Sequence, residues 1–188
     1  MKIILASASP RRLELLKSVN VCCTVIPPDI CEDPLVGESA EDMVLRLALA
    51  KAEVVALQNP DALVIAGDTT VLLDSEILGK PLDRADAIRM LSTMSGRWHR
   101  VFSATAVRSI SRRVDSSFCS NTDVKFSPIS IAEIEQYVES GEPLDKAGSY
   151  GAQGLGAQFI EEIKGSYTNV VGLDLCRLMK ILRPLITL

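Results

Sequence analysis

Residues 3–6 (Ile3-Ile4-Leu5-Ala6) form an unbroken apolar run, and Leu13, Leu15, Leu16 and Val19 then recur at helical spacing. This pattern predicts a short buried strand leading into a helix, with Ser9 as N-cap and Pro10 as first helical residue, where its missing N–H is not needed. Residues 21–26 read as a second strand, stopped by Pro27-Pro28. Ser39 to Asp42 resembles a capping box, and Met43, Val44, Leu47, Ala48 and Val55 carry a helix as far as Asn59-Pro60. The stretch 64–70 (Val-Ile-Ala-Gly-Asp-Thr-Thr) predicts a buried strand that stops at a mouth, where Asp68 and Thr69 face a ligand. Beyond it, Val71 to Leu73, a turn at Asp74-Ser75 and Ile77-Leu78 form a hairpin that would bring Lys80 back beside Asp68.

Asp83 caps a further helix whose apolar face is Ala87, Ile88, Leu91 and Met94, closed by Ser95-Gly96. Residues 98–107 and 114–126 read as two long strands of a hairpin, introduced by His99 and Arg100. Ser130 to Glu133 is a second capping box, opening a helix that ends at Ser140-Gly141. Residues 142–156 then carry four glycines among polar residues, which permits close approach of backbone to a ligand. Asp174 caps a last helix, with Leu175, Leu178, Ile181, Leu182 and Leu185 turned inward. Strands alternating with helices, with no internal repeat or linker, predict one α/β or α+β unit.

The 188 residues are 47% hydrophobic and 4% aromatic, enough for one well-buried core or two small lobes sharing it. A formal net charge of -4 argues against a general electrostatic nucleic-acid binder. No run reaches the length of a membrane span, which leaves a cytoplasmic protein as the expectation. The five cysteines contain no Cys-x-x-Cys pair and read as small buried hydrophobes rather than as a zinc site or disulfide framework. His99 is the only histidine, and neither a zincin nor a Walker motif is present.

The chemistry therefore rests on charged residues at predicted strand and helix ends. Arg11 and Arg12 lie in the first helical turn, where cations oppose the helix dipole at a cost of a few tenths of a kcal/mol each. A phosphate-binding role accounts for that placement, since free N–H groups and guanidinium groups both suit phosphate oxygens. The proline-bracketed loop of Asp29, Glu32 and Asp33 offers oxygen ligands to a hard divalent cation, or is a solvated turn. Lys51 lies among the apolar positions of its helix, either reaching a ligand or snorkelling along the surface. Gln153, whose amide both donates and accepts, suits reading a base edge.

Taken in order, Ser7-Ala8-Ser9-Pro10-Arg11-Arg12, Gly67-Asp68-Thr69, Gly79-Lys80-Pro81, Ser95-Gly96-Arg97 with His99, Asp145-Lys146-Ala147-Gly148-Ser149-Tyr150 with Gln153, and Gly165-Ser166-Tyr167 through Gly172-Leu173 resemble the Maf family. The resemblance runs from residue 3 to about residue 182. It implies a single domain over residues 1–188 with a Maf/Ham1 (ITPase-like) α/β fold: a long twisted mixed sheet with flanking helices and a cleft between two lobes. It further implies a nucleoside triphosphate pyrophosphatase that acts with Mg²⁺ or Mn²⁺, usually as a homodimer, without nucleic-acid or membrane partners. The double arginine, the Asp-Lys-Ala-Gly-Ser-Tyr run and Gln153 resemble the branch preferring dTTP and UTP.

Carried over by position, the resemblance puts the general base on Asp68 and the metal on Asp68 and Glu32. Substrate binding falls on Arg11, Arg12, Lys51, Thr69, Lys80 and Gln153. Three departures stand out: Cys31 replaces a frequent second acid, Ala66-Gly67 inverts the usual Gly-Ala, and Asp174 replaces a usual proline. A non-catalytic regulator of septum formation, or a pyrophosphatase for purine or modified nucleotides, are the alternatives on the same scaffold.

Overall fold

A computed structural model describes residues 1–186, so the last two positions of the expected 1–188 domain lie outside the described residues. Seven strands form one mixed sheet: β1 (Ile3–Ala6), β2 (Thr24–Val25), β3 (Leu63–Leu73), β4 (Glu76–Leu78), β5 (Trp98–Ser109), β6 (Val114–Phe126) and β7 (Ile160–Lys164). Their order is β2-β1-β3-β5-β6-β7, with β4 added to β3. β1 pairs in parallel with both β2 and β3, whereas β4 on β3 and β7 on β6 are antiparallel. The helices are α1 (Pro10–Ser18), α2 (Ala40–Gln58), α3 (Arg84–Met94), α4 (Ile131–Glu139), α5 (Tyr167–Val171) and α6 (Leu175–Leu182). The mixed α/β architecture expected from the sequence is therefore present.

The chain divides into two compact units, each assembled from separated segments. The first comprises residues 1–68, 103–120 and 172 onward, with a core that includes Ile4, Leu5, Leu16, Val44, Ala48, Ile65 and Leu178. The second comprises residues 69–102 and 121–171, with α3 packed on α4 and a core of Leu78, Leu91, Met94, Phe126, Ile134 and Tyr150. β3, β5 and β6 each give residues to both units, and in β3 the division falls between Asp68 and Thr69.

Helix boundaries follow their caps. Ser39 accepts the N–H of Asp42, Asp83 that of Asp86 and Asp174 that of Arg177, and Ser130 with Glu133 completes a reciprocal capping box. Ser9 occupies the N-cap position ahead of Pro10 without a side-chain cap. Ser7 Oγ instead accepts the Ser9 N–H at 3.1 Å.

Four expectations are corrected. β3 does not stop at a mouth: Thr69, Thr70 and Val71, β-branched and suited to a pleated sheet, carry it on to Leu73, leaving Asp68 in mid-strand. The second strand shrinks from 21–26 to Thr24–Val25, because β1 offers only four residues and Pro27-Pro28 supply no N–H. His99 and Arg100 belong to β5 itself rather than preceding it. The cysteines are not buried: Cys22, Cys31 and Cys176 are exposed and Cys23 and Cys119 half-buried. They lie in a loop, near a short edge strand or on the outer faces of elements, where small apolar groups are tolerated without being packed.

Candidate active site

Asp68 owes its position to β3, whose neighbouring residues Ile65, Ala66 and Gly67 are wholly or largely buried. Its carboxylate is met by the ammonium of Lys51, with Nζ 2.6 Å from Asp68 Oδ1. The same Nζ lies 2.6 Å from Glu32 Oε1. Lys51 stands four residues from both Leu47 and Val55, on the core-facing stripe of α2, so the helix itself drives its side chain inward. With only 7% of that side chain exposed, the snorkelling alternative is excluded. The amine beside Asp68 is therefore Lys51, and β4 ends its pairing at Leu78, two residues before Lys80.

Arg12 completes the cluster in the first unit. Its Nε donates to the Gly172 carbonyl at 3.0 Å and its Nη1 to Ser7 Oγ at 3.1 Å. Ser103 Oγ donates to that same carbonyl at 3.1 Å. Burial lowers the guanidinium pKa, while the Asp68 charge opposes the shift and Arg11 adds to it. Gly67 gives this arrangement its room: a Cβ there would meet Leu173 Cδ2 at 3.1 Å, the Ala104 carbonyl at 3.2 Å and Arg12 Nε at 3.3 Å. Arg11, on the same turn, is only partly covered.

Glu32 comes from the proline-bracketed loop and is half exposed at 49%. Arg46 of α2 ties that loop down, donating to both Glu38 oxygens and to the Asp33 carbonyl. Cys31 Sγ donates to Asp33 Oδ2 at 3.2 Å. The loop therefore delivers Glu32 to Lys51, while its neighbours are engaged with one another.

Two cations, Arg12 and Lys51, thus accompany two carboxylates, Asp68 and Glu32. Both carboxylates converge on a single positive centre, which fits the needs of a hard divalent cation that takes one or two carboxylates plus substrate oxygens. Among the described residues no group of three or more His, Cys, Asp or Glu side chains makes a complete protein cage.

The second unit holds Thr69, Lys80 and Gln153. Thr69 is half-buried on β3, and Lys80 is exposed just past β4. The turn carrying Lys80 is anchored by its neighbour, since the Gly79 carbonyl accepts the Gly148 N–H at 3.0 Å. Gly148 has a φ of 66°, and a Cβ there would stand 2.7 Å from Val71 Cγ2. Gln153 sits in the glycine-bearing stretch with its side-chain oxygen buried and without a hydrogen-bond partner among the described residues. A buried, unpaired acceptor is costly unless a ligand supplies the donor.

His99 has no part in a thiol site: its Nε2 is 2.8 Å from the Tyr150 hydroxyl, and its ring meets Phe126 and Tyr150 edge-on. Burial pushes its pKa down to about 4, so it is neutral at pH 7. Ser7, which orients Arg12, belongs to the Ser7-Ala8-Ser9-Pro10-Arg11-Arg12 motif and has no role assigned from sequence. Its position three residues before the helix start is the signal that could have exposed it.

The Maf-like protein family model matches residues 2–185. This chain belongs to the Maf family. A Methylobacillus flagellatus protein named dTTP/UTP pyrophosphatase is 50% identical over 97% of this chain and 92% of its own length. A Carboxydothermus hydrogenoformans protein of the same name is 43% identical over 97% of this Maf chain and 98% of its own. Among solved structures, a Staphylococcus aureus Ham1 protein is similar at a TM-score of 0.48, with 16% identity over 85% of this chain and 80% of that one. No helix among the described residues is long and apolar enough to cross a membrane.

Proposed function

We propose that this protein hydrolyses dTTP and UTP to the nucleoside monophosphate and pyrophosphate, clearing these nucleotides from the pool. The observation that carries the reading is the buried Asp68 carboxylate with the Lys51 ammonium upon it and Arg12 beside it. An acid held among cations suits the attack of water on a polyphosphate, where catalysis is mostly positioning and electrostatics. The names of relatives at 43–50% identity, aligned over nearly the whole chain, support dTTP and UTP as substrates. The family model spans segments of both units, which supports residues 1–188 acting as one domain.

In this reading Asp68 accepts a proton from the attacking water as its oxygen bonds to the α-phosphorus. The bond from that phosphorus to the bridging oxygen breaks, and its electron pair leaves with pyrophosphate. Arg11, Arg12, Lys51 and Lys80 hold the triphosphate and stabilise the charge that gathers on the leaving group. Asp68 and Glu32 would hold Mg²⁺ or Mn²⁺, which supplies Lewis-acid polarisation of the phosphoryl oxygens. Thr69 and Gln153 read the base. The unpaired Gln153 oxygen accepts the N3–H that uracil and thymine share and cytosine lacks. Uracil and thymine differ by one methyl, worth about 1–3 kcal/mol at most, so both are accepted.

The test is pyrophosphate release from a panel of nucleoside triphosphates with Mg²⁺ or Mn²⁺, run beside Asp68→Asn. Turnover of dTTP and UTP that falls by about 10²–10⁴-fold in the variant is the expected result. Unchanged turnover in Asp68→Asn would remove Asp68 from the mechanism, and turnover of purine nucleotides alone would move the substrate assignment.

A further inference from the structure

Gln153 is presented by backbone, and the backbone is held from one side by a single carboxylate. Glu142 Oε1 accepts the Tyr137 hydroxyl at 2.8 Å and the Gly156 N–H at 3.0 Å. Its Oε2 accepts the Leu155 N–H at 2.9 Å. Tyr137 Oη in turn accepts the Gly151 N–H at 3.2 Å. The stretch is thus pinned two residues before Gln153 and again two and three residues after it, with Gln153 at the apex.

The glycines record how closely the chain is wrapped on this carboxylate. A Cβ on Gly154 would stand 2.6 Å from Glu142 Oε2, and one on Gly156 would stand 2.6 Å from the Tyr137 hydroxyl. Gly154 also has a φ of 80°, in the left-handed region. Lys146 donates to the Glu142 carbonyl and lies 2.7 Å from Asp145, closing the other end of the stretch. Burial raises the Glu142 pKa, but the Leu155 and Gly156 N–H groups, the Tyr137 hydroxyl and Lys146 together outweigh it, so the carboxyl is held below its ordinary range.

We propose that Glu142, with Tyr137, is a positioning residue for base selection: it fixes the loop that aims the unpaired Gln153 side-chain oxygen at the pyrimidine edge. The inference rests on the substrate reading above. A carboxylate is required because both oxygens must accept. A glutamine would turn an amine toward either the Leu155 N–H or the Tyr137 and Gly156 donors, leaving at least one of them unpaired. The loop would relax, and the Gln153 oxygen would no longer be held where it excludes cytosine.

The experiment is steady-state kinetics with UTP and CTP for the wild type, Glu142→Gln, Tyr137→Phe and Gln153→Ala, each with a thermal unfolding curve. The expected result is a fall of about tenfold in the UTP to CTP ratio of kcat/KM in Glu142→Gln, carried by KM for UTP rather than by kcat. Tyr137→Phe, a milder loss that keeps the Leu155 and Gly156 bonds, should shift the ratio in the same direction by a smaller factor. A folded Glu142→Gln, or Tyr137→Phe where the first fails to fold, that keeps the wild-type ratio would overturn the proposal. Wild-type enzyme without UTP turnover, or a Gln153→Ala ratio unchanged from wild type, would overturn the substrate reading instead.

Discussion

In the proposed reading the two units recognise different things by different means. In the first, Asp68, Lys51, Glu32 and Arg12 are fixed by regular structure: a mid-strand position, a core-facing helix stripe and the first turn of a helix. In the second, Gln153 lies on irregular backbone pinned by Glu142, and its side-chain oxygen has no partner among the described residues. Charge is long-ranged and tolerates modest misplacement, whereas a single donor–acceptor pair does not. A cluster of formal charges suits a triphosphate common to all nucleotides, and a rigid loop suits the base that distinguishes them. The comparison predicts that damage to the first unit's cluster lowers turnover for every nucleotide, while damage to the loop alters the choice among them.

Lys51→Met should break this division most severely. It leaves Asp68 and Glu32 converging without their shared cation, and kcat/KM should fall about a hundredfold for UTP and CTP alike. Removing one partner from a pair this buried should also cost about 2–4 kcal/mol in a denaturant titration. A variant that loses selectivity rather than rate would merge the two regions into one.

Acid offers a probe of His99, in the second unit. His99 has its folded pKa lowered to about 4 against an ordinary 6.5, so between those values the unfolded chain binds the extra proton. Stability from this group is full above pH 6.5 and is lost as pH falls toward 4, by about 3 kcal/mol in all. Unfolding curves from pH 7 to 4 should show that loss, and His99→Phe should flatten it. An unchanged slope in the variant would assign the acid sensitivity elsewhere.

Gln153→Ala should lower the UTP to CTP discrimination by about tenfold while leaving the dTTP to UTP ratio as it was. Parallel kinetics with the three nucleotides decide it. The smallest effect is expected from Cys31→Ala. Its thiol bonds Asp33 while its neighbour Glu32 is the loop residue paired with Lys51, so turnover should stay within about twofold of wild type. A large loss there would give the loop's thiol a role that its contacts do not suggest.

Much of the fold was readable because local signals were strong. Ser39, Asp83, Ser130 and Asp174 each announced a helix, and each caps one. Strand ends were less legible. Whether β3 stops at Asp68 or continues depends on partners far away in the chain, and Ile3–Ala6 limited β2 for the same reason. The short α5 was not foreseen, although Ser166 precedes it and accepts the Asn169 N–H at 3.3 Å.

Side-chain destinations were harder still. Lys80 looked close to Asp68 through the hairpin, yet the amine on that carboxylate is Lys51, seventeen residues before it. The clue was a lysine at a core-facing position, which periodicity alone could not separate from a snorkelling one. The bonds from Arg12 Nε and Nη1 to Gly172 and Ser7 are a tertiary arrangement invisible to spacing. Glu142 gave no signal at all, since its three bonds form only when the glycine-bearing chain folds back on it.

The most direct test of the division between charge and base is to measure both properties in one variant. Asp68→Asn removes the acid and leaves Glu142, Tyr137 and Gln153 unaltered in sequence, so calorimetric binding of UTP and CTP can be compared with pyrophosphate release. Turnover should collapse while the preference for binding UTP over CTP persists. Turnover near the wild-type level, or a binding preference that vanishes together with turnover, would contradict that division.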